Sequence, residues 1–312
     1  MKAETNGRDI RKGIGLALLA ALLWSGNYIV ARGLYREIAP VSLAFFRWLT
    51  ATVILAPFAY KSVCKEVHLL KNHWILLSIT ALLGVTLFNT FIYVAGSYSS
   101  AINLAIIGTT AAPILVLALA AIFLKEKVRG SQVAGMMICV LGILLLVTKG
   151  HLQNLGSFQA SKGDIWILAA ALSFALYTLL VRRKPKTLSS LTYLFSLFFL
   201  GTIFLLPAYA IDLAHGHSFL VTPNLLAVFL YLGAGASVGA FLSWNVAIQK
   251  MGAARTALFA TGIPIFSSME AVIILGEEAS WVLVVSLLLI VCGLAVANIK
   301  TMRRSTTGQR AS

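Results

Sequence analysis

The chain has 312 residues, 59% of them hydrophobic and 11% charged, with a mean hydropathy of +0.91, against about one quarter charged residues in ordinary globular domains. Too few polar side chains remain to cover a soluble surface, and the deficit runs the whole length, so the composition dictates an all-α integral membrane fold in a lipid bilayer. A formal charge of +15 would suit a nucleic-acid partner if it were clustered on one face, but it falls between apolar runs and reads as topology, so no nucleic-acid partner is expected.

Residues 1–12 form a polar tail without a small-residue cleavage pattern, so no removable signal peptide is expected. Runs near twenty residues with few charges then predict spans at about 13–33, 40–60, 74–94, 98–124, 131–148, 163–182, 189–211, 224–247, 254–275 and 281–300. That makes ten transmembrane helices, with residues 150–162 as a connecting loop and 301–312 as a polar C-terminal tail. The short hairpins Gly96-Ser97-Tyr98-Ser99 and Gln249-Lys250-Met251-Gly252 separate the third span from the fourth and the eighth from the ninth.

Basic residues test that count. With the N-terminus placed inside, twenty of the 25 Lys and Arg fall on inner segments. Only Arg32, Arg36, Lys149 and Lys162 fall on outer ones, and Arg47 lies within a span. Such an excess predicts both termini in the cytoplasm of a multi-pass protein of the inner, or cytoplasmic, membrane. The cysteines, Cys64, Cys139 and Cys292, form no even framework, and neither a disulfide nor a metal site is expected.

The chain repeats itself. Gly13, Arg32 and Pro57 match Gly163, Arg182 and Pro207 at an offset of 150, and Gly84, Pro113, Glu126 and Gly142 match Gly235, Pro264, Glu277 and Gly293 at 151. Five spans per unit is an odd number, so residues 13–149 and 163–300 form two inverted five-helix repeats. In both, a proline interrupts a long apolar run after a small or hydroxyl residue: Thr109-Thr110-Ala111-Ala112-Pro113 and Thr261-Gly262-Ile263-Pro264. Proline removes a backbone hydrogen bond, and matched helix breaks at Pro113 and Pro264 are a pointer to a transport site.

Several motifs in this order, Trp24-Ser25-Gly26-Asn27-Tyr28, Phe46-Arg47-Trp48, Ser100-Ala101 and the duplicated Pro113-to-Glu126 and Pro264-to-Glu277 pattern, resemble the paired EamA-type domains of the drug/metabolite transporter (DMT) superfamily over residues 13–300. The resemblance implies a ten-helix transporter with a central cavity between the first, third, fourth, sixth, eighth and ninth helices. It also implies export of amino acids or related metabolites, with drugs, sugar nucleotides or lipid-linked precursors as the alternative cargo. Ser173-Phe174-Ala175-Leu176 stands where the second repeat would carry the Trp-Ser-Gly-Asn cluster.

Ionisable groups inside lipid are costly and functional by default. Arg47 and Glu270 are the clear cases, each about 10 Å below a helix end at the usual helical rise. They either pair or engage a charged substrate; alternatively, Arg47 bonds helix-end carbonyls and neighbouring polar groups without touching it. A buried carboxylate also makes Glu270 a candidate proton carrier, with facilitated diffusion equally open. Trp24, Asn27, Tyr28, Asn89, Tyr93, Thr109, Thr110, Tyr177 and Trp244 are further candidates for the cavity or substrate site, while Asn103 and Asn245 read as hydrogen-bonding glue between helices. Glu126, Glu277 and Glu278 close the proline-bearing runs, where hydration is the simplest expectation and a gate pairing with Lys125 or Arg129 the alternative. His215-Gly216-His217 is too little for a metal site, so no cofactor is expected. Gly233-Ala234-Gly235-Ala236-Ser237-Val238-Gly239 lies inside a span and reads as close helix packing, as do Gly135, Gly142 and Gly293, which could face a homodimer partner. No nucleophile–base pair stands within the spans, so an enzyme is not expected, and a non-transporting scaffold fits duplicated helix breaks poorly.

Overall fold

The computed structural model describes residues 7–34, 37–98, 101–126, 128–148, 150–151, 153, 162–216, 219–266, 269–270 and 281–308. Glu277 and Glu278 lie outside the described residues, as do the side chains of Tyr28, Asn103, Thr109 and Thr110. The first five helical segments are α1 (Gly7–Leu34), α2 (Pro40–Asn72), α3 (Trp74–Tyr98), α4 (Ala101–Phe123) and α5 (Gly130–Val147). Those of the second half are α6 (Lys162–Arg182), α7 (Ser190–Ala214), α8 (Pro223–Met251), α9 (Ala253–Phe266) and α10 (Trp281–Gly308). Among them α2, α3, α6, α7 and α8 are long and apolar enough to cross a membrane, and shorter apolar stretches lie in α4, α5, α9 and α10.

The helix starts follow local chemistry. Pro40 opens α2 after extended Ala39, and Pro223 opens α8, where the Thr222 side chain accepts the Leu225 N–H at 3.2 Å. In both cases proline sits where its missing N–H costs nothing. Ser189 caps α7 by accepting the Thr192 N–H at 3.1 Å.

Pairing of repeat-equivalent residues shows the pseudo-twofold arrangement directly. Helix α2 packs against its repeat mate α7, and Thr52 and Thr202, 150 positions apart, bring their hydroxyls to 3.3 Å. The pair α5 and α10 behaves likewise: a Cβ on Gly293 would lie 2.6 Å from Gly135 O, and one on Gly142 would lie 3.1 Å from Ser286 O. At the offset of 151 each of these contacts maps onto the other, as a twofold axis requires. These three glycines are therefore occupied by packing within one chain.

The structure corrects the position of the breaks. Helix α4 runs unbroken through Pro113, because proline removes one N–H from the ladder and neighbouring turns continue it. In α9 the turn before Pro264 tightens to 3₁₀ geometry over Leu258–Gly262. There Ile263 N–H donates to Ala260 O, the carbonyl that Pro264 cannot serve, and the Thr261 hydroxyl takes Leu258 O at 2.7 Å. The larger irregularities carry no proline. Wide π-helical turns occupy Leu82–Leu87 in α3 and Tyr231–Gly239 in α8, at corresponding places in the two repeats. One turn makes room: a Cβ on Gly84 would lie 2.1 Å from the Tyr177 ring.

Glu126 is also corrected. Its carboxylate accepts the Ala253 and Ala254 N–H groups at 3.3 Å each and lies 3.8 Å from Arg182 Nε. It thus sits at the positive start of α9, while Arg182 donates to Ile248 O at 3.1 Å and Gln249 O at 2.8 Å at the negative end of α8. Lys250 of the same hairpin pairs with Asp9 at the start of α1. Gly252, at φ +89°, turns between the two helices with Glu126 Oε1 3.1 Å from where a Cβ would stand. Hydration is the wrong account because the partners lie far along the chain, beyond what local sequence displays. Glu126→Ala should remove about 1 kcal/mol of capping, lowering the thermal unfolding midpoint of the detergent-purified protein, while Lys125→Ala, an exposed neighbour, leaves it in place. Equal midpoints for the two variants would contradict the clasp.

Candidate functional site

The π turn of α8 builds the site. Ala240 N–H reaches back five residues to Gly235 O, which releases Ala236 O from the usual helical register. That carbonyl then receives two side chains from the first repeat, Trp24 Nε1 and Arg47 Nη2, each at 2.9 Å. The second repeat returns the arrangement: Ser173 donates to Leu83 O, in the π turn of α3, at 2.8 Å. Irregular turns of this kind recur at functional sites because they free backbone acceptors inside a packed helix.

Arg47 is 1% exposed and bonded through all three guanidinium nitrogens. Nε donates to Ser237 at 2.8 Å, while Nη1 donates to Asn27 Oδ1 at 2.8 Å, Asn89 Oδ1 at 2.9 Å and the Tyr93 hydroxyl at 3.1 Å. Tyr93 in turn donates to Asn27 Oδ1 at 3.1 Å. Among the described residues every partner of Arg47 is neutral. Glu270 is held elsewhere: the Ser25 hydroxyl lies 2.6 Å from its Oε1. The two ionisable groups therefore use separate partners, one on the π turn and the amides, the other on α1. Gly26 of the Trp-Ser-Gly-Asn cluster admits Tyr231, whose hydroxyl would stand 2.4 Å from a Cβ there and donates to Leu23 O at 2.8 Å.

In front of the Arg47 network lies a narrow cavity open at its mouth. Its polar wall is Asn27 and Asn89, its aromatic wall Trp24, Phe88 and Phe174, and Ile263 of α9 faces them. Trp24 meets Phe174 edge-on at 5.6 Å, and Phe88 lies 4.6 Å from Phe174. Phe174 holds the position equivalent to Trp24 at the offset of 150, so the second repeat supplies a ring where its polar cluster is missing.

The lining residues occupy one end of the bundle. Toward the other end the helices close on an aliphatic core that includes Leu117, Leu179, Ala254 and Leu258, with the Glu126–Arg182 clasp beyond it. Tyr177 and Trp244 do not line the cavity but back its wall: both are fully buried, Tyr177 donates to Asn245 Oδ1 and lies 5.9 Å from Phe174, and Trp244 packs on Trp24 at 5.0 Å. Of the residues singled out in the sequence, Trp24, Asn27 and Asn89 face the cavity, Arg47 and Tyr93 stand behind them, and Pro113 follows Ala112, which also lines it. Tyr28, Thr109 and Thr110 have side chains outside the described part. Phe88, Phe174, Ala236, Ser237 and Tyr231 were not foreseen. Ser237 and Ala236 stand in the glycine-rich run, whose Gly233 does pack closely on Thr50, so packing explained the run before its freed carbonyl was visible.

This arrangement, duplicated turns around a walled cavity in an apolar bundle, agrees with the sequence comparisons. The family model of the EamA-like transporter family matches residues 11–148 and again 161–299. The chain belongs to the EamA-like transporter family. It is 28% identical over 287 residues to an uncharacterized transporter of Archaeoglobus fulgidus, covering 91% of this chain and 96% of that one. A probable amino-acid metabolite efflux pump of Salmonella typhimurium is 24% identical, with 92% and 94% of the two chains covered. A probable terminal-alkyne amino-acid exporter of Streptantibioticus cattleyicolor is 27% identical over 204 residues, covering 64% of this chain and 66% of that one. In fold, a solved crystal structure superposes with a TM-score of 0.77 at 19% identity, covering 93% of this chain and 98% of that chain. An EamA-like chain of this kind is a multi-pass membrane protein.

Arg47 gives the site its most direct stability test. Arg47→Met removes the partner of Asn89 Oδ1 and of the Ser237 hydroxyl, while Asn27 Oδ1 keeps only Tyr93 and Ala236 O only Trp24, a loss on the order of 2–4 kcal/mol. A sharply reduced yield of monodisperse protein after heating should report it. Survival like that of the parent protein would mean that the network carries little of the fold.

Proposed function

We propose that this EamA-like chain exports small metabolites such as amino acids across the inner membrane by alternating access, with both termini in the cytoplasm and without catalysing a reaction. The observation that carries this reading is the cavity between the repeats, which offers aromatic rings on one wall and amides on the other, the surface an amphipathic solute needs. The asymmetric closure supports it: one end of the bundle holds the cavity and the other is packed and clasped, as one state of an alternating carrier would be. The names of two relatives, an amino-acid metabolite efflux pump and an amino-acid exporter, point the same way, and the excess of Lys and Arg on alternate connections favours the stated orientation.

In this reading Trp24, Asn27 and Asn89 contact the solute, and Arg47 and Tyr93 hold the amides. Glu270, bonded to Ser25 beside the Trp24 wall, couples the site to a proton or to the solute's charge. Drugs, sugar nucleotides and lipid-linked precursors are the cargo of the alternative reading.

Counterflow in proteoliposomes with amino acids, nucleosides and organic cations at two pH values tests the proposal. Exchange of amino acids is expected. Exchange confined to nucleosides or organic cations would move the chain to the alternative cargo, conversion of a solute inside the vesicles would make it an intramembrane enzyme, and silence across the panel would leave a scaffold. Glu270→Gln should cut exchange severalfold and flatten its pH dependence; an unchanged rate and profile would remove Glu270 from the site.

A further inference from the structure

The Arg47 network does more than hold helices together, because it decides which way two amides face. An asparagine side chain has an acceptor end and a donor end, and only one can meet a guanidinium. Arg47 Nη1 donates to Asn89 Oδ1 at 2.9 Å and to Asn27 Oδ1 at 2.8 Å. Turned over, either amide would set its NH₂ against the guanidinium hydrogens. Asn89 Nδ2 is thereby directed away from Arg47. It is buried, and among the described residues it has no hydrogen-bond partner, although Asn89 stands on the cavity wall.

We propose that Asn89 Nδ2 recognises the transported solute through a hydrogen-bond acceptor, a carboxylate or carbonyl oxygen, and that Arg47 sets this preference from behind as a positioning residue.

The inference rests on the transport reading and adds a chemical class to it. A buried donor left without a partner in an apolar site costs free energy, which an acceptor delivered by a solute recovers. Several other polar groups nearby are already committed among the described residues. Asn27 Oδ1 takes both Arg47 and Tyr93, Trp24 Nε1 is spent on Ala236 O, and Glu270 is bonded to Ser25 and is not among the residues lining the cavity. A lone ammonium group would find Asn27 Oδ1 taken by two donors and Asn89 Oδ1 turned toward the guanidinium, whose charge repels it in a medium of low dielectric. Trp24, Phe88 and Phe174 then receive the solute's apolar group with their ring faces and edges. The cavity therefore suits a small solute with a carboxylate or carbonyl oxygen and an apolar side group, an amino acid held by its carboxylate included, and disfavours an amine that carries the same side group without such an acceptor.

Three matched probes decide this in detergent-purified protein by binding alone, without flux: 3-phenylpropionate, 3-phenylpropionamide and 3-phenylpropylamine. The acid and the amide should bind at least about tenfold more tightly than the amine. Asn89→Asp keeps an oxygen toward Arg47, and with it the fold, but replaces the donor by an acceptor. It should weaken the acid by about tenfold or more and bring the amine level with it or ahead. Arg47→Lys, which cannot hold both amides in one plane, should narrow the acid-to-amine ratio in whatever fraction remains monodisperse. Equal binding of acid and amine by the parent protein, binding of none of the three, or an acid-to-amine ratio untouched by Asn89→Asp overturns the proposal. If the preference holds and proteoliposomes show no flux, the transport reading fails while the recognition stands; if flux is found without the preference, the reverse is true.

Discussion

One buried cation organises the middle of this membrane protein. A guanidinium deep in a bundle is tolerated only when its hydrogens find acceptors, and Arg47 finds them on three helices: Asn27 on α1, Asn89 and Tyr93 on α3, and Ser237 with Ala236 O on α8. Because the partners come from both repeats, the bond set ties the halves together where the cavity begins. Because they are neutral, the charge is dispersed without being cancelled. Helix α8 could not offer Ala236 O in regular geometry, so its π turn and Arg47 are parts of one device.

Around that device the pseudo-twofold arrangement is carried by small, self-complementary contacts. Thr52 meets Thr202, and the glycines of α5 and α10 meet each other's backbones. The symmetry is broken where function is expected. Trp24 faces Phe174, a polar-tipped ring opposite an apolar one, and Glu270 corresponds to Leu119 in the first repeat at the offset of 151. Equal repeats supply the frame; unequal side chains distinguish its two sides.

Much of the fold was legible in the sequence because lipid imposes a simple rule: a backbone in hydrocarbon must satisfy itself, so long apolar runs are helices. The repeats, the apolar spans and the rarity of Arg47 and Glu270 all followed from that rule. Long-range geometry did not. Nothing in Leu82-Leu83-Gly84-Val85-Thr86-Leu87 announces a wide turn, which exists in concert with Tyr177 beside Gly84. Proline drew attention to α4, yet one missing N–H was too small a defect to break that helix. Glu126 was read by its own helix end, although its backbone partners lie 127 and 128 residues away. Tyr177 and Trp244 have the chemistry of a cavity wall but are spent on packing behind it, against Trp24 and Phe174. Local rules report what a residue can do, and only packing shows which partner it meets.

On the proposed reading, solute passes through the cavity in front of the Arg47 network. In a background lacking Cys64, Cys139 and Cys292, a single cysteine at Ala112 on the cavity wall can be compared with one at Ile79, which is exposed on the outside of the bundle. Thiol labelling at position 112 should block exchange, and transported solute should slow that labelling, while labelling at 79 does neither. Exchange that survives full labelling at 112, with no protection by solute, would place the route elsewhere.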